Sequence, residues 1–232
     1  MLWFEELPLE GEEELELNHA SWKKRWKSDQ PGFHQAAVNP RLKEHTSWLL
    51  EAGDAGIYLP LCGATLDMDW LAQHFERVVG TEFVEEAVLR FFNDRSLSPQ
   101  VIPQSRYKAH TAGRVTILHG DALVLTPQDR GPISAWYDRA AMIALRSELR
   151  RAYVNNLKRN LPRQARGLLI TLQYEQSIAN GPPWSVSQDE VLSAYSDWCD
   201  VERVFHTPAT RLPPRFGDAL VYEDVYRLVR RD

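Results

Sequence analysis

IYLPLCGATLDMDWLAQHFERVVGTE, residues 57–82, decides the fold. A short apolar run, Ile57–Leu61, ends just before Gly63; a segment with helical spacing, Ala64–Phe75, follows; a second apolar run, Val78–Phe83, carries Glu82 at its end. Short apolar runs bounded by turn residues read as buried strands, and the spacing between them reads as helix. The unit is therefore β-loop-α-β. In open sheets of this kind a ligand sits beyond the carboxyl ends of the strands, where strand order reverses. Gly63 lets the backbone approach a ligand closely, the next helix offers N–H groups, and Glu82 is set to accept hydrogen bonds from both hydroxyls of a ribose. The sequence G-x-G-x-x-G is absent. A pyrophosphate needs glycine-bared amides, so this loop suits a nucleoside cofactor without phosphates better than NAD or FAD.

Outward from this unit, strands and helices alternate. Val115–His119, Ala135–Asp138, Leu168–Tyr174, Val201–His206 and Leu220–Leu228 are expected as further strands, with helices over Glu85–Arg95, Arg139–Leu161 (broken near Ser147) and Ser187–Trp198. That order predicts an α/β fold: a Rossmann-like, seven-stranded, mostly parallel sheet with helices on both faces and the last strand antiparallel. Ser96–Gly113, with Pro99 and Pro103, reads as a long loop or insertion. Before the sheet, Ala20–Lys27 is expected as a short helix with Trp22 and Trp26 on one side. Asn39-Pro40 marks the start of a helix reaching about Leu50. Residues 1–18 hold seven Glu and no Lys or Arg and read as an acidic leader; residues 19–232 read as one domain.

The net charge of −5 argues against nucleic acid as the main partner. Without the leader, 25 acids face 27 bases, so the body is near neutral. No apolar run approaches a membrane span, and the start of the chain lacks the basic and apolar regions of a signal peptide. Cys62 and Cys199 have neither metal nor disulfide-framework spacing. A cytoplasmic monomer without a metal is expected.

Two more strand ends carry polar groups. Asp121 is placed to read an adenine amino group or to cap a turn. Asp138 precedes Arg139 at the end of the fourth strand. Three polar strand ends facing one crevice carry more weight than any one of them.

Trp22-x-x-x-Trp26, Gly32-Phe33-His34-Gln35, Pro60-Leu61-Cys62-Gly63-x-x-Leu66-Asp67-Met68, Val79-Gly80-x-Glu82 and Asp138-Arg139-Ala140-Ala141, in that order and spacing, resemble the thiopurine S-methyltransferase family. Gly181-Pro182-Pro183-Trp184 and the final strand also fit. The resemblance covers about residues 20–230 and implies a class I methyltransferase using S-adenosyl-L-methionine. It implies that Trp22, Leu61, Glu82, Asp121 and Ala122 contact the cofactor. Phe33 and Arg139 would line the region shared by cofactor and substrate, and the helix around Trp22 would form a lid. The sequence departs from the family pattern at Ala64, where a lysine is usual, and at Ala140, where a glycine is usual. A family arginine near the last strand corresponds to Arg211 or Arg215.

Methyl transfer from a sulfonium is an in-line displacement in which positioning carries much of the catalysis. An acidic thiol is largely thiolate at neutral pH, so no dedicated strong base is needed. Arg139 is the candidate for orienting an anionic acceptor or for pairing with a neighbouring acid. Asp138 is the candidate for polarising the acceptor or for capping the following turn. Phe33, Arg139 and Arg215 are the candidate substrate contacts. Trp22, Phe33, Trp26 and Trp184 offer an aromatic slot or plain packing; His34 is a base or a loop anchor; Cys62 is a small buried residue. The expected function is S-methylation of a small thiol, with selenium or tellurium compounds as further acceptors. A nucleoside-binding sensor without turnover is the alternative.

Overall fold

The structure, a computed structural model, describes residues 19–28, 34–210, 212 and 214–232. The acidic leader, Phe33 and Arg211 lie outside the described residues. Among the described residues, one sheet of nine strands runs in the order β3-β4-β5-β2-β1-β6-β7-β9-β8. These are β1 (Ile57–Leu59), β2 (Val78–Glu82), β3 (Gln100–Pro103), β4 (Lys108–Ala112), β5 (Val115–His119), β6 (Ala135–Asp138), β7 (Arg166–Gln173), β8 (Cys199–Pro208) and β9 (Tyr222–Arg230). All seven expected strands are present. β5, β2, β1, β6 and β7 run parallel. β9 inserts antiparallel between β7 and β8.

The two additional strands correct the reading of Ser96–Gly113 as a loop. β3 and β4 form a hairpin that extends the sheet antiparallel from β5. Its prolines sit where an edge tolerates them: Pro103 ends the outermost strand, whose residues are all exposed.

The helices are α1 (residues 19–27), α2 (Pro40–Leu50), α3 (Asp67–Leu71), α4 (Glu85–Asn93), α5 (Pro127–Arg130), α6 (Ser147–Asn160) and α7 (Gln188–Tyr195). The Asn39 side chain accepts from the Arg41 N–H, with Pro40 at the first helical position, so α2 starts where the sequence placed it. α3 is shorter than expected. The chain after Gly63 spends two turns rather than a helix before reaching Asp67.

Alternation along the central strands divides the core in two. Ile57, Val78, Ile117, Tyr137 and Leu168 face α2, α3 and α4, packing on Leu42, Met68, Leu71 and Phe91. Tyr58, Val79, Leu118, Trp136 and Leu169 face α6 and α7, packing on Leu149, Tyr153, Leu157 and Tyr195. Strand order reverses between β1 and β6, so their carboxyl ends frame a crevice. Among the described residues no helix is long and apolar enough to cross a membrane.

Candidate active site

That crevice opens into a pocket lined by the carboxyl ends of β1, β2, β5 and β6 and by α1, the place where ligands bind in open α/β sheets. Its floor is the turn after β1. Leu61 and Gly63 both have positive φ, +47° and +55°. At Gly63 a side chain would be strained by backbone conformation and would also stand 3.1 Å from the Trp26 ring.

Glu82 stands at the tip of β2 and is 6% exposed. Its Oε2 accepts the Gly63 N–H at 2.9 Å and its Oε1 accepts the Val84 N–H at 2.7 Å. Burial raises its pKa to about 7, against the lowering effect of the backbone N–H groups. Asp121, at the end of β5, accepts the Leu123 N–H at 2.8 Å; burial raises its pKa as well. It caps the turn Ala122–Val124, as one of its two sequence readings had it, and it also lines the pocket.

α1 closes the mouth. Trp22 and Trp26 line the pocket, and Lys27 reaches Glu86 at 3.7 Å. His19 stacks on Phe83, ring centroids 3.5 Å apart, and Lys23 lies over the same ring. Burial, then Lys23, lowers the His19 pKa to about 4, so the ring is neutral and stacks as an apolar plate.

Arg139 lines the pocket from the end of β6, with its Nε 3.4 Å from Asp67 Oδ2. Asp138 faces the other way. It is 1% exposed. Its Oδ1 accepts the Ala141 and Met142 N–H groups, and its Oδ2 accepts the Tyr153 hydroxyl at 2.6 Å. Asp138 therefore holds the turn carrying Arg139 and pins Tyr153, which lines the pocket; direct polarisation of an acceptor does not fit its geometry. Arg215 is not among the pocket-lining residues. It donates to the Pro182 carbonyl and lies over Phe216 at 5.4 Å.

Trp22, Leu61, Gly63, Glu82, Asp121, Ala122 and Arg139 are thus brought together around one pocket. Sequence reasoning missed His19, Phe83, Thr65, Leu145 and Tyr153. Phe83 follows the strand-end acid and was legible by position; the others come from elements whose facing depends on tertiary packing. His34 lines the pocket, with its pKa lowered by burial and then by Arg90.

The pocket fits a nucleoside cofactor on its own geometry. A buried carboxylate stands ready for hydroxyl donors, a glycine cradle lies beside it, and no phosphate-binding run of glycine amides is present. Among the described residues no group of three or more His, Cys, Asp or Glu could hold a metal ion.

Comparison with solved structures finds the same fold. NodS, an N-methyltransferase from Bradyrhizobium japonicum in complex with S-adenosyl-L-homocysteine, superposes with a TM-score of 0.61 at 12% identity, covering 93% of this chain and 99% of that one. Magnesium protoporphyrin IX methyltransferase from Synechocystis, with bound S-adenosylhomocysteine, gives 0.63 at 15% identity, covering 92% and 99%. This fold, taken with the family match that follows, makes the protein a class I methyltransferase that uses S-adenosylmethionine. A profile of the thiopurine S-methyltransferase family matches residues 17–231. Thiopurine S-methyltransferases of Pseudomonas entomophila and Pseudomonas syringae pv. pisi are 40% and 43% identical over 217 and 214 residues. They cover 92% and 90% of this chain and are themselves 100% and 97% covered. The chain belongs to the thiopurine S-methyltransferase family. Membership favours an enzyme over the sensor reading.

Proposed function

We propose that the protein methylates the sulfur of a small aromatic thiol, accepting selenium or tellurium compounds at the same place. One observation carries this reading: among the described residues the pocket sets a cation, Arg139, beside carboxylates and an imidazole that are not placed to take a proton from an acceptor. Its carboxylates, Glu82 and Asp121, are engaged by backbone N–H groups. The proton affinity of His34 is depressed, and Asp138 is turned away. An acceptor that must lose a tightly held proton finds no help here. An acidic thiol arrives as thiolate and needs only to be held.

S-adenosylmethionine supplies a methyl group on a sulfonium, with a neutral thioether as leaving group. Glu82 accepts the ribose hydroxyls, and Gly63 and Asp121 border the nucleoside. Trp22 and Trp26 exclude water and offer aromatic faces to positive charge. Arg139 attracts and orients the anionic acceptor. Phe33 and Arg215 remain proposed substrate contacts, Arg215 being close enough to Arg25 for the two charges to interact. We extend the proposal to a monomer in the cytoplasm, testable by light scattering and cell fractionation.

The test is methyl transfer from labelled S-adenosylmethionine to a panel of 6-mercaptopurine, 2-nitro-5-thiobenzoate, selenite and tellurite. Turnover of at least one thiol, lowered at least tenfold in kcat/KM by Arg139→Ala, is expected. Failure to methylate any thiol, with S-adenosylhomocysteine still binding, would overturn the acceptor assignment.

A further inference from the structure

Arg139 stands between two clefts. The main pocket and a smaller neighbouring one share Leu61, Cys62, Thr65, Arg139 and Ala140; Asp67 and Tyr137 line only the smaller. A long guanidinium at such a junction has two directions to point, and only one of them serves an acceptor in the main pocket. Asp67 sits where that choice is made. It is the first residue of α3 and 1% exposed. Its Oδ2 accepts the Tyr137 hydroxyl at 3.1 Å and faces Arg139 Nε at 3.4 Å. Its Oδ1 accepts the Asn39 N–H at 2.8 Å, and its own N–H donates to the Thr65 hydroxyl at 3.2 Å. One buried carboxylate therefore ties together the end of β6, the start of α2 just beyond the lid connection, and the cofactor turn.

We propose that Asp67 is the positioning residue for the methyl acceptor: anchored from behind through Nε, Arg139 keeps its terminal nitrogens at the main pocket and holds the acceptor in line with the methyl group. The inference rests on the role given to Arg139 above. It explains why a carboxylate is buried here. A neutral side chain could satisfy Asn39 and Tyr137, but only an anion both fixes a guanidinium and balances its charge in a dry wall. Asp67 touches neither cofactor nor acceptor, so its influence is exerted through Arg139.

The test uses the full chain and a double-mutant cycle of Asp67→Asn with Arg139→Ala, read with the thiol that turns over best in the panel. Asp67→Asn is expected to lower acceptor kcat/KM about 10- to 100-fold, the loss typical of a misplaced reactant. S-adenosylhomocysteine affinity by calorimetry should stay within about threefold. In the Arg139→Ala background the same change should add less than about twofold, because residues acting as one unit are not additive. Asp67→Glu, which keeps the charge, should retain more activity than Asp67→Asn. An equal loss in both backgrounds, or a parallel loss of cofactor affinity, overturns the inference. If Asp67 variants do not fold, the native protein still reports. The Nε–H resonance of Arg139, identified by its disappearance in Arg139→Lys, should exchange slowly with solvent, and fast exchange refutes the anchor. If Arg139→Ala leaves acceptor kinetics unchanged, the proposed role of Arg139 falls first; if Arg139→Ala slows the reaction and Asp67→Asn does not, only the inference on Asp67 falls.

Discussion

Replacing Glu82 by glutamine separates two effects that the structure sets in opposition. Burial raises the Glu82 pKa from 4.5 to about 7. That difference corresponds to about 3 kcal/mol disfavouring the ionised form at this buried position. The folded protein thus holds this proton more tightly than the unfolded chain does. The stability it contributes is present below pH 4.5 and lost as pH rises to about 7. Cofactor binding runs the other way. Ribose hydroxyls donate to the carboxylate, so the ionised form binds, and affinity rises with pH through about 7 before levelling off. Between pH 8 and pH 5.5 the wild-type affinity for S-adenosylhomocysteine should fall by up to about 30-fold. Glu82→Gln should flatten that dependence. At pH 8 it should weaken binding by about 1.5–3 kcal/mol, roughly 10- to 150-fold, the range for hydrogen bonds to a charged group. The Gly63 and Val84 N–H groups then share a neutral side chain. Calorimetric titration across this pH range decides the matter. A wild-type affinity that does not change with pH, or an unaltered affinity in Glu82→Gln, would refute the reasoning.

Other expectations concern the walls of the site. Gly167→Ala would bring a methyl group 2.1 Å from the fully buried Trp136 ring; destabilisation by about 3 kcal/mol in urea is expected, and an unchanged midpoint would show that β6 and β7 part easily. Arg95 grips Asp69 at 2.5 Å and the Thr65 carbonyl at 3.1 Å. Arg95→Ala should cost about 1–3 kcal/mol of stability and weaken cofactor binding through the Thr65 turn; calorimetry showing wild-type affinity would separate the two. Trp26→Ala removes the ring over Gly63 and should raise the S-adenosylhomocysteine off-rate severalfold in stopped flow, with little change in melting temperature if the lid is an independent cover.

The central strands were legible because burial on both faces leaves continuous apolar runs, as in Ile57–Leu61 and Val78–Phe83. The β3–β4 hairpin was not. Its strands lie at an edge, carry Lys108, His110 and two prolines nearby, and so lack the apolar signature. Glu82 and Asp121 could be read from the sequence because a strand end fixes where a side chain stands. For Asp138 the sequence left two readings open, and the structure bears out the capping one: its carboxylate turns back onto the Ala141 and Met142 N–H groups. The role of Asp67 could not be read from the sequence: its partners, Asn39 before α2 and Tyr137 and Arg139 at the end of β6, meet it only in the folded chain.

Cys62 gives the pocket a consequence for its own survival. Its sulfur sits in the wall of a chamber proposed to handle both a methylating agent and reactive thiols, packed where a side chain on Gly80 would come within 2.5 Å of it. Burial, reinforced by the neighbouring Glu82, pushes its pKa well above the ordinary thiol value. Held as a neutral thiol, it is a poor nucleophile. A competing sulfur can therefore stand in the wall of this pocket while its thiolate, the form that would be alkylated, is disfavoured. Such restraint comes from desolvation first and from the Glu82 charge second, and it would be weakened by any change that wetted the first turn after β1.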